Sequence, residues 1–278
     1  MPPRFYASTQ YLLPADEAET TRLDLQHRVI VRAFENRLTL APLTLKAGDR
    51  VLESGAGSGI WALEFFENNK GDGVLVDMEC IDITDRQFPS EHPSNVHFSI
   101  HSVADLPADW NEMFSYIHQR LMVGAFNDYL WRKAIAELFR VLQRDKWIEL
   151  VELDMNLHFG VGPSSNKLQA LISVGAPEMG TIADIAVYVP SLLRENGFVD
   201  IQCETRTISI SRTGEDGYRS DQWRDLWLGM KDRIISRKGF GYVETEQEYE
   251  ELLQECIVEW NNSGQASATF HTILARKP

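Results

Sequence analysis

The stretch Val51-Leu52-Glu53-Ser54-Gly55-Ala56-Gly57-Ser58-Gly59-Ile60-Trp61 constrains the fold of this 278-residue chain more than any other. An apolar run ends in an acid, a glycine-rich turn follows, and a helical pattern begins. Downstream, Cys80-Ile81-Asp82-Ile83 closes a second short apolar run on another acid. Strand, glycine turn and helix in this order place an adenosine-containing ligand at the carboxyl ends of two parallel strands. Gly55 and Gly57, on either side of Ala56, let the backbone turn sharply and approach a ligand without an intervening Cβ. The helix beginning near Gly59 offers free N–H groups to a polar or anionic ligand end. Asp82 follows Gly59 by 23 positions and, with Ile83 beside it, is placed to accept both hydroxyls of a ribose. Either feature alone has an ordinary reading, a plain strand-to-helix turn or a helix N-cap. Their joint occurrence at this spacing favours a cofactor site.

The rest of the amino-terminal half repeats the strand–helix alternation. Residues 50–54, 73–83 (a turn leading into a strand), 96–100, 113–119 and 147–153 read as strands, and 60–67 and 129–142 as helices. Such alternation predicts a doubly wound, mostly parallel α/β sheet with right-handed crossovers. Ahead of it, residues 14–37 carry an imperfect helical stripe of Leu23, Leu25, Val29, Ile30, Ala33 and Phe34. After residue 155 the pattern changes to a loop over 156–163, helices over 167–174 and 182–196, and an alternating strand over 198–211. Helices over about 221–237 and 246–261 and a strand over 268–275 follow. The two late strands are expected as a hairpin-like pair at the sheet edge, giving seven strands. The predicted organisation is one domain over 1–278: a helical lid (1–45), a cofactor-binding core (46–155), and a helical cap with terminal strands (156–278).

Composition narrows the partners. With 27 Lys and Arg against 41 Asp and Glu, the formal charge of −14 opposes nucleic acid and anionic membrane surfaces. Three widely spaced cysteines offer neither a disulfide framework nor metal-ligand spacing, so no metal is expected. The start Met1-Pro2-Pro3-Arg4-Phe5 lacks the apolar core of a signal peptide, and no run approaches the ~20 apolar residues of a membrane span. The expected setting is cytoplasmic, and oligomeric state is left open.

Residue chemistry separates the candidate cofactors. A dinucleotide site favours G-x-G-x-x-G, whereas here the glycines run Gly55-x-Gly57-x-Gly59, followed by Ile60 and the bulky Trp61. Glu53, just before the turn, would repel a pyrophosphate but pair with an ammonium group. That favours S-adenosylmethionine. Transfer of its methyl group needs a lone pair in line with the S–CH₃ bond, and a phenolic acceptor also needs a base. His118, at the end of the fourth strand, is the first candidate and His27 the second, each with a structural reading beside it.

Four segments together resemble a known family. Residues 11–27, Tyr11-Leu12-Leu13-Pro14-Ala15-Asp16 through Arg22-Leu23-Asp24-Leu25-Gln26-His27, look like the Y-x-L-P-x-D-x-x-E-x-x-R-L-D-x-Q-H signature of fungal LaeA-like (UMTA-type) class I methyltransferases. The glycine segment resembles that family's V-L-D-x-G-x-G-T-G-I-W. Phe114-Ser115-Tyr116-Ile117-His118-Gln119-Arg120 resembles F-D-x-I-H-x-R, and Trp147 to Asp154 resembles G-W-x-E-x-x-E-x-D. The resemblance covers roughly residues 11–155. It implies a Rossmann-like fold, S-adenosylmethionine as cofactor, and contacts to it from Tyr11, Arg22, Gln26 and Arg120 besides the glycine turn and Asp82. Arg22 and Arg120 are the candidates for the methionine carboxylate. The chain departs from the pattern at Ser102, where an Asp often holds the adenine amino group and Val103 offers its N–H. It departs again at Ser115, and at Gln143-Arg144-Asp145-Lys146 in place of a Pro-Gly-Gly turn.

The expected activity is methyl transfer to a small, aromatic acceptor, with a phenolic hydroxyl favoured over an amine or thiol. The aromatic run of Trp223, Trp227, Phe240, Tyr242 and Trp260 motivates the acceptor class. The alternatives are a regulatory protein with a vestigial cofactor site and a methyltransferase fold recruited for a non-methylating reaction.

Overall fold

A computed structural model describes residues 13–215 and 217–278. The chain enters through helix α1 (Glu17–Ala33), which Asp16 caps by accepting from the Glu19 amide at 3.0 Å. Strand β1 (Arg50–Ser54) and helix α2 (Ile60–Gly71) flank the glycine turn. Strands β2 (Asp77–Asp82), β3 (Val96–Ile100) and β4 (Phe114–Arg120) follow, then helix α3 (Asp128–Val141) and strand β5 (Leu142–Leu153). The later part holds α4 (Pro163–Glu178), α5 (Ile185–Glu195), β6 (Val199–Ser211), β7 (Gly217–Arg219), α6 (Ser220–Gly229), α7 (Lys231–Ile235), α8 (Glu246–Ser263) and β8 (Ser267–Arg276). No helix among the described residues is long and apolar enough to cross a membrane.

All eight strands join one sheet in the order β3-β2-β1-β4-β5-β8-β6-β7. The first five are parallel, and β8 runs antiparallel to both β5 and β6. The strand order reverses between β1 and β4, so a crevice opens at their carboxyl ends. Helix α3 seals one face with Trp131, Ala134, Ile135, Leu138 and Val141, a stripe of helical period that is entirely buried. Trp61, Phe65 and Phe66 of α2 cover the other face. Six residues of β4, from Phe114 to Gln119, are buried, as expected for a central strand covered on both sides.

Four expectations are corrected. The sheet has eight strands rather than seven, because Gly217–Arg219 pairs with the end of β6. The two late strands do pair antiparallel, but β8 inserts between β5 and β6 and is not at the edge. Residues 143–146 continue β5 instead of turning, since the chain end reaches them: Asp145 N–H donates to Lys277 O at 2.9 Å and Lys277 N–H to Lys146 O at 3.0 Å. Ser115 and Gln143 are satisfied there too, with Asp49 within 3.0 Å of the Ser115 hydroxyl and Met113 O accepting from Gln143 at 3.1 Å. The helix expected over 221–237 breaks at Met230. Gly229 weakens it there, and the Trp227 carbonyl accepts the Tyr249 hydroxyl at 2.9 Å.

Candidate functional site

The crevice holds a cavity of about 240 Å³ whose wall includes Gln26, Gly55, Ala56, Gly57, Asp82, Ile83, Ser102, Val103 and Arg120. The fold thus brings nine of the sequence-predicted site residues to one place. Gly55 (φ 71°) and Gly57 (φ 52°) lie in the left-handed region. A Cβ on Gly55 would stand 2.9 Å from the Met122 sulfur, the end of a flexible side chain that can swing aside, so it is the positive φ rather than space that calls for glycine. Asp82 stabilises the turn from the next strand: Oδ2 accepts from Gly57 N–H at 2.9 Å and Oδ1 from Ile83 N–H at 2.7 Å. Burial raises its pKa, and amide donors from Gly57, Ile83 and Thr84 pull the other way. With three amides drawing on its four lone pairs, the carboxylate keeps acceptor capacity for a ligand hydroxyl. Helix α1 closes the side of the site through a 2.8 Å bond from the Ser58 hydroxyl to Asp24.

Arg120 is a half-buried cation at the wall of this cavity. Of its five N–H donors, the described residues engage one: Nη1 donates to His27 Nδ1 at 2.9 Å. Because a guanidinium only donates, His27 Nδ1 must accept, and Nε2 carries the proton it gives to Glu64 at 2.6 Å. Burial, then Arg120, hold His27 below the ordinary imidazole pKa, so the ring is neutral with both nitrogens used. His118 is engaged as well. It stacks on Trp61 (centroids 3.7 Å apart, planes 7° apart), and its Nδ1 lies 2.6 Å from Glu53 Oε2. Burial lowers the His118 pKa well below that of a free imidazole and raises that of Glu53 well above the usual carboxylate range.

These contacts correct the expectations for His118, His27, Glu53, Arg22 and the aromatic run. Neither His118 nor His27 lines the cavity, and Glu53 does not present its carboxylate to it. The reason is strand alternation. Glu53 and His118 are direct partners across β1 and β4 and share the face under Trp61, while their neighbours Ser54 and Gln119 share the opposite one. Arg22 makes a bidentate pair with Glu19 (2.7 and 2.8 Å) and is not at the wall. Tyr11 falls outside the described residues. Most of the aromatic run is core: Trp223, Trp227 and Trp260 are each at most 1% exposed and pack with Phe159 and Tyr218, while Phe240 and Tyr242 are half-buried against that core.

Sequence reasoning overlooked the wall formed by Leu121, Met122, Ala125 and Phe126. Its signal was legible as an apolar run directly after Arg120. A buried Glu152 fixes this wall, accepting from the amides of Met122 (3.0 Å) and Val123 (2.9 Å).

The residues present fit S-adenosylmethionine. A turn that glycines hold in the left-handed region, a carboxylate with acceptor capacity left and a half-buried guanidinium with four donors that the described residues leave open suit a close backbone approach, a ribose and an amino-acid carboxylate respectively.

Comparisons with known proteins agree. A family model described as "Methyltransferase domain" matches residues 25–255. Methyltransferase pytC of Aspergillus terreus is 30% identical over 201 residues, 69% of this chain and 59% of that protein. N-methyltransferase sirN of Leptosphaeria maculans is 28% identical over 97% of this chain and 95% of its own length. Secondary metabolism regulator LAE1 of Hypocrea atroviridis is 28% identical over 54% of this chain and 43% of its length. The chain spans just under three fifths of the first curated relatives it matches. Among solved structures, the [4+2]-cyclase SpnF superposes with a TM-score of 0.51 at 16% identity, covering 91% of this chain and 80% of that one, a likeness of fold alone. Fold, site and family match therefore converge: the chain belongs to the methyltransferase-domain family, in its fungal LaeA-like class I branch, and its cofactor is S-adenosylmethionine.

Proposed function

We propose that this methyltransferase acts on a nitrogen atom of a small metabolite. The observation that carries the reading is the engagement of both candidate histidines. His27 spends its two ring nitrogens on Arg120 and Glu64, and His118 lies against Trp61 and Glu53 away from the cavity. His101 does reach the wall, but next to Ser102, at the end assigned to adenine. A phenol needs its proton removed as it reacts. The bound cofactor supplies an electrophilic methyl group, which a neutral nitrogen lone pair takes without prior deprotonation.

The preference for a phenolic oxygen rested on a histidine base and an aromatic pocket. The protein uses those residues in hydrogen bonds and core packing instead. Relatives aligned along nearly their whole length, sirN and the N-methyltransferase tcpN of Claviceps purpurea, carry the matching description. In this reading Arg120 and Gln26 hold the methionine end, Asp82 the ribose, and Ser102 and Val103 the adenine. The chain's own contribution is then orientation and exclusion of water, which suits a reaction whose leaving group is already good.

The test is a panel of acceptors that each carry an amine nitrogen and a phenolic hydroxyl, read by S-adenosylhomocysteine release and product mass spectrometry. Methyl groups on nitrogen are expected. Products methylated only on oxygen would refute the nitrogen assignment. Tight S-adenosylhomocysteine binding with no turnover across the panel would favour the regulatory reading, to which the partial similarity to LAE1 lends support.

A further inference from the structure

Strand β7 is three residues long, yet it is built with care. A Cβ on Gly217 would overlap the Ser209 carbonyl oxygen, so only glycine lets β7 lie this close to β6. The register then pairs Tyr218 with Ile210 and sends its side chain inward, 4% exposed, against Trp223 at 5.2 Å. The phenol reaches toward α1. Its hydroxyl lies within reach of the Gln26 side chain and feels the positive charges of Arg120 and of Arg22, the latter already paired with Glu19. Among the described residues it finds no partner of good hydrogen-bond geometry, the Gln26 amide being near but poorly aligned.

A buried hydroxyl without a partner is costly and uncommon in a native interior. Two cations nearby make the missing partner an anionic oxygen, to which a phenol O–H donates strongly. Gln26 and Arg120 both line the cofactor cavity; Tyr218 does not, but its hydroxyl lies against Gln26 from the far side of that wall. The terminal torsion of a glutamine amide is soft, so rotation of Gln26 opens the hydroxyl to that corner.

We propose that the Tyr218 hydroxyl is a third ligand, with Arg120 and Gln26, for the carboxylate at the methionine end of S-adenosylmethionine. Tyr218 comes from the late part of the chain and Gln26 from the amino-terminal helix. The corner therefore joins cap and lid over the cofactor, and binding at one end orders both. The inference rests on the assignment of Arg120 to the same carboxylate and does not depend on the identity of the acceptor.

The test is calorimetric titration of wild type, Tyr218→Phe and Arg120→Lys with two probes. S-adenosylhomocysteine carries the amino-acid carboxylate, whereas 5′-methylthioadenosine lacks it. Tyr218→Phe keeps the ring and its contact with Trp223, and a melting curve checks the fold. Loss of one hydrogen bond to a charged group predicts S-adenosylhomocysteine binding weaker by about tenfold or more. Thioadenosine binding is expected to stay within about twofold, since a merely structural role would weaken both ligands alike. Equal loss for both probes, or no loss for either, overturns the Tyr218 assignment. If Arg120→Lys loses the carboxylate preference and Tyr218→Phe keeps it, the Tyr218 assignment falls alone. If neither variant changes the preference, the Arg120 reading falls with it.

Discussion

Asp82 offers the sharpest test of the cofactor geometry. Its carboxylate holds the glycine turn through Gly57 N–H (2.9 Å) and its own strand end through Ile83 N–H (2.7 Å), with the Thr84 amide drawing on it as well, and its remaining acceptor capacity is what a ribose hydroxyl would use. Asp82→Asn preserves shape but removes the charge and turns one acceptor into a donor. That donor faces either a ribose hydroxyl or an amide N–H. Hydrogen bonds to a charged group are worth about 1.5–3 kcal/mol against about 1 for a neutral pair. Weakening two such bonds therefore costs about 1–4 kcal/mol, or roughly 5- to 700-fold in affinity. The assay is calorimetric titration with S-adenosylhomocysteine and its 2′,3′-dideoxy analogue. Wild type should prefer the natural ribose strongly, and the variant should shrink that preference to under about fivefold. A variant that retains both the affinity and the ribose preference of wild type would refute the reasoning.

Three further outcomes follow from particular contacts. Burial raises the pKa of Glu152 from 4.5 to about 8, so the native state binds its proton at higher pH than the unfolded chain does. Its contribution therefore makes stability fall as pH rises from 4.5 to about 8 and then level off, and Glu152→Gln should flatten that slope in urea unfolding; an unchanged slope contradicts it. A Cβ at Gly59 would meet Phe98 Cζ at 2.6 Å, whereas one at Gly48 meets nothing within 4 Å, and both residues have positive φ. Gly48→Ala should then cost about 1 kcal/mol and Gly59→Ala about 2–4, measured by denaturant unfolding, and equal losses would show that the ring yields freely. His118→Asn strands the buried Glu53 and removes the stack on Trp61. It should destabilise by about 2–4 kcal/mol while kcat stays within about tenfold; a loss of 10²- to 10⁴-fold in kcat with stability intact would restore His118 as a base.

Much of the cofactor site was legible because local sequence decides it. A glycine turn between strand and helix works through backbone conformation, and Asp82 needs only to end the next strand. Gly55, Gly57, Asp82, Ser102 and Arg120 accordingly all reach one cavity. Arg120 was legible from its place at the end of β4. What it binds depends on which of its donors the fold leaves open, and that is a tertiary property.

The histidines show the limit most clearly. A sequence places His118 and Glu53 near strand ends but carries no register between β1 and β4. That register set them side by side under Trp61, on the face away from the cavity. The same holds for residues 143–146, which became strand because the distant chain end pairs with them. Tyr218 reaches the far side of Gln26 only because Gly217 lets a three-residue strand close on β6. The sequence by itself determined the donor site, since glycine conformational freedom, strand ends and acid placement act over a few residues. Only the tertiary structure decided which polar groups are spent on one another and which remain for a ligand, because hydrogen-bond partners far apart in the chain meet only once the sheet is assembled.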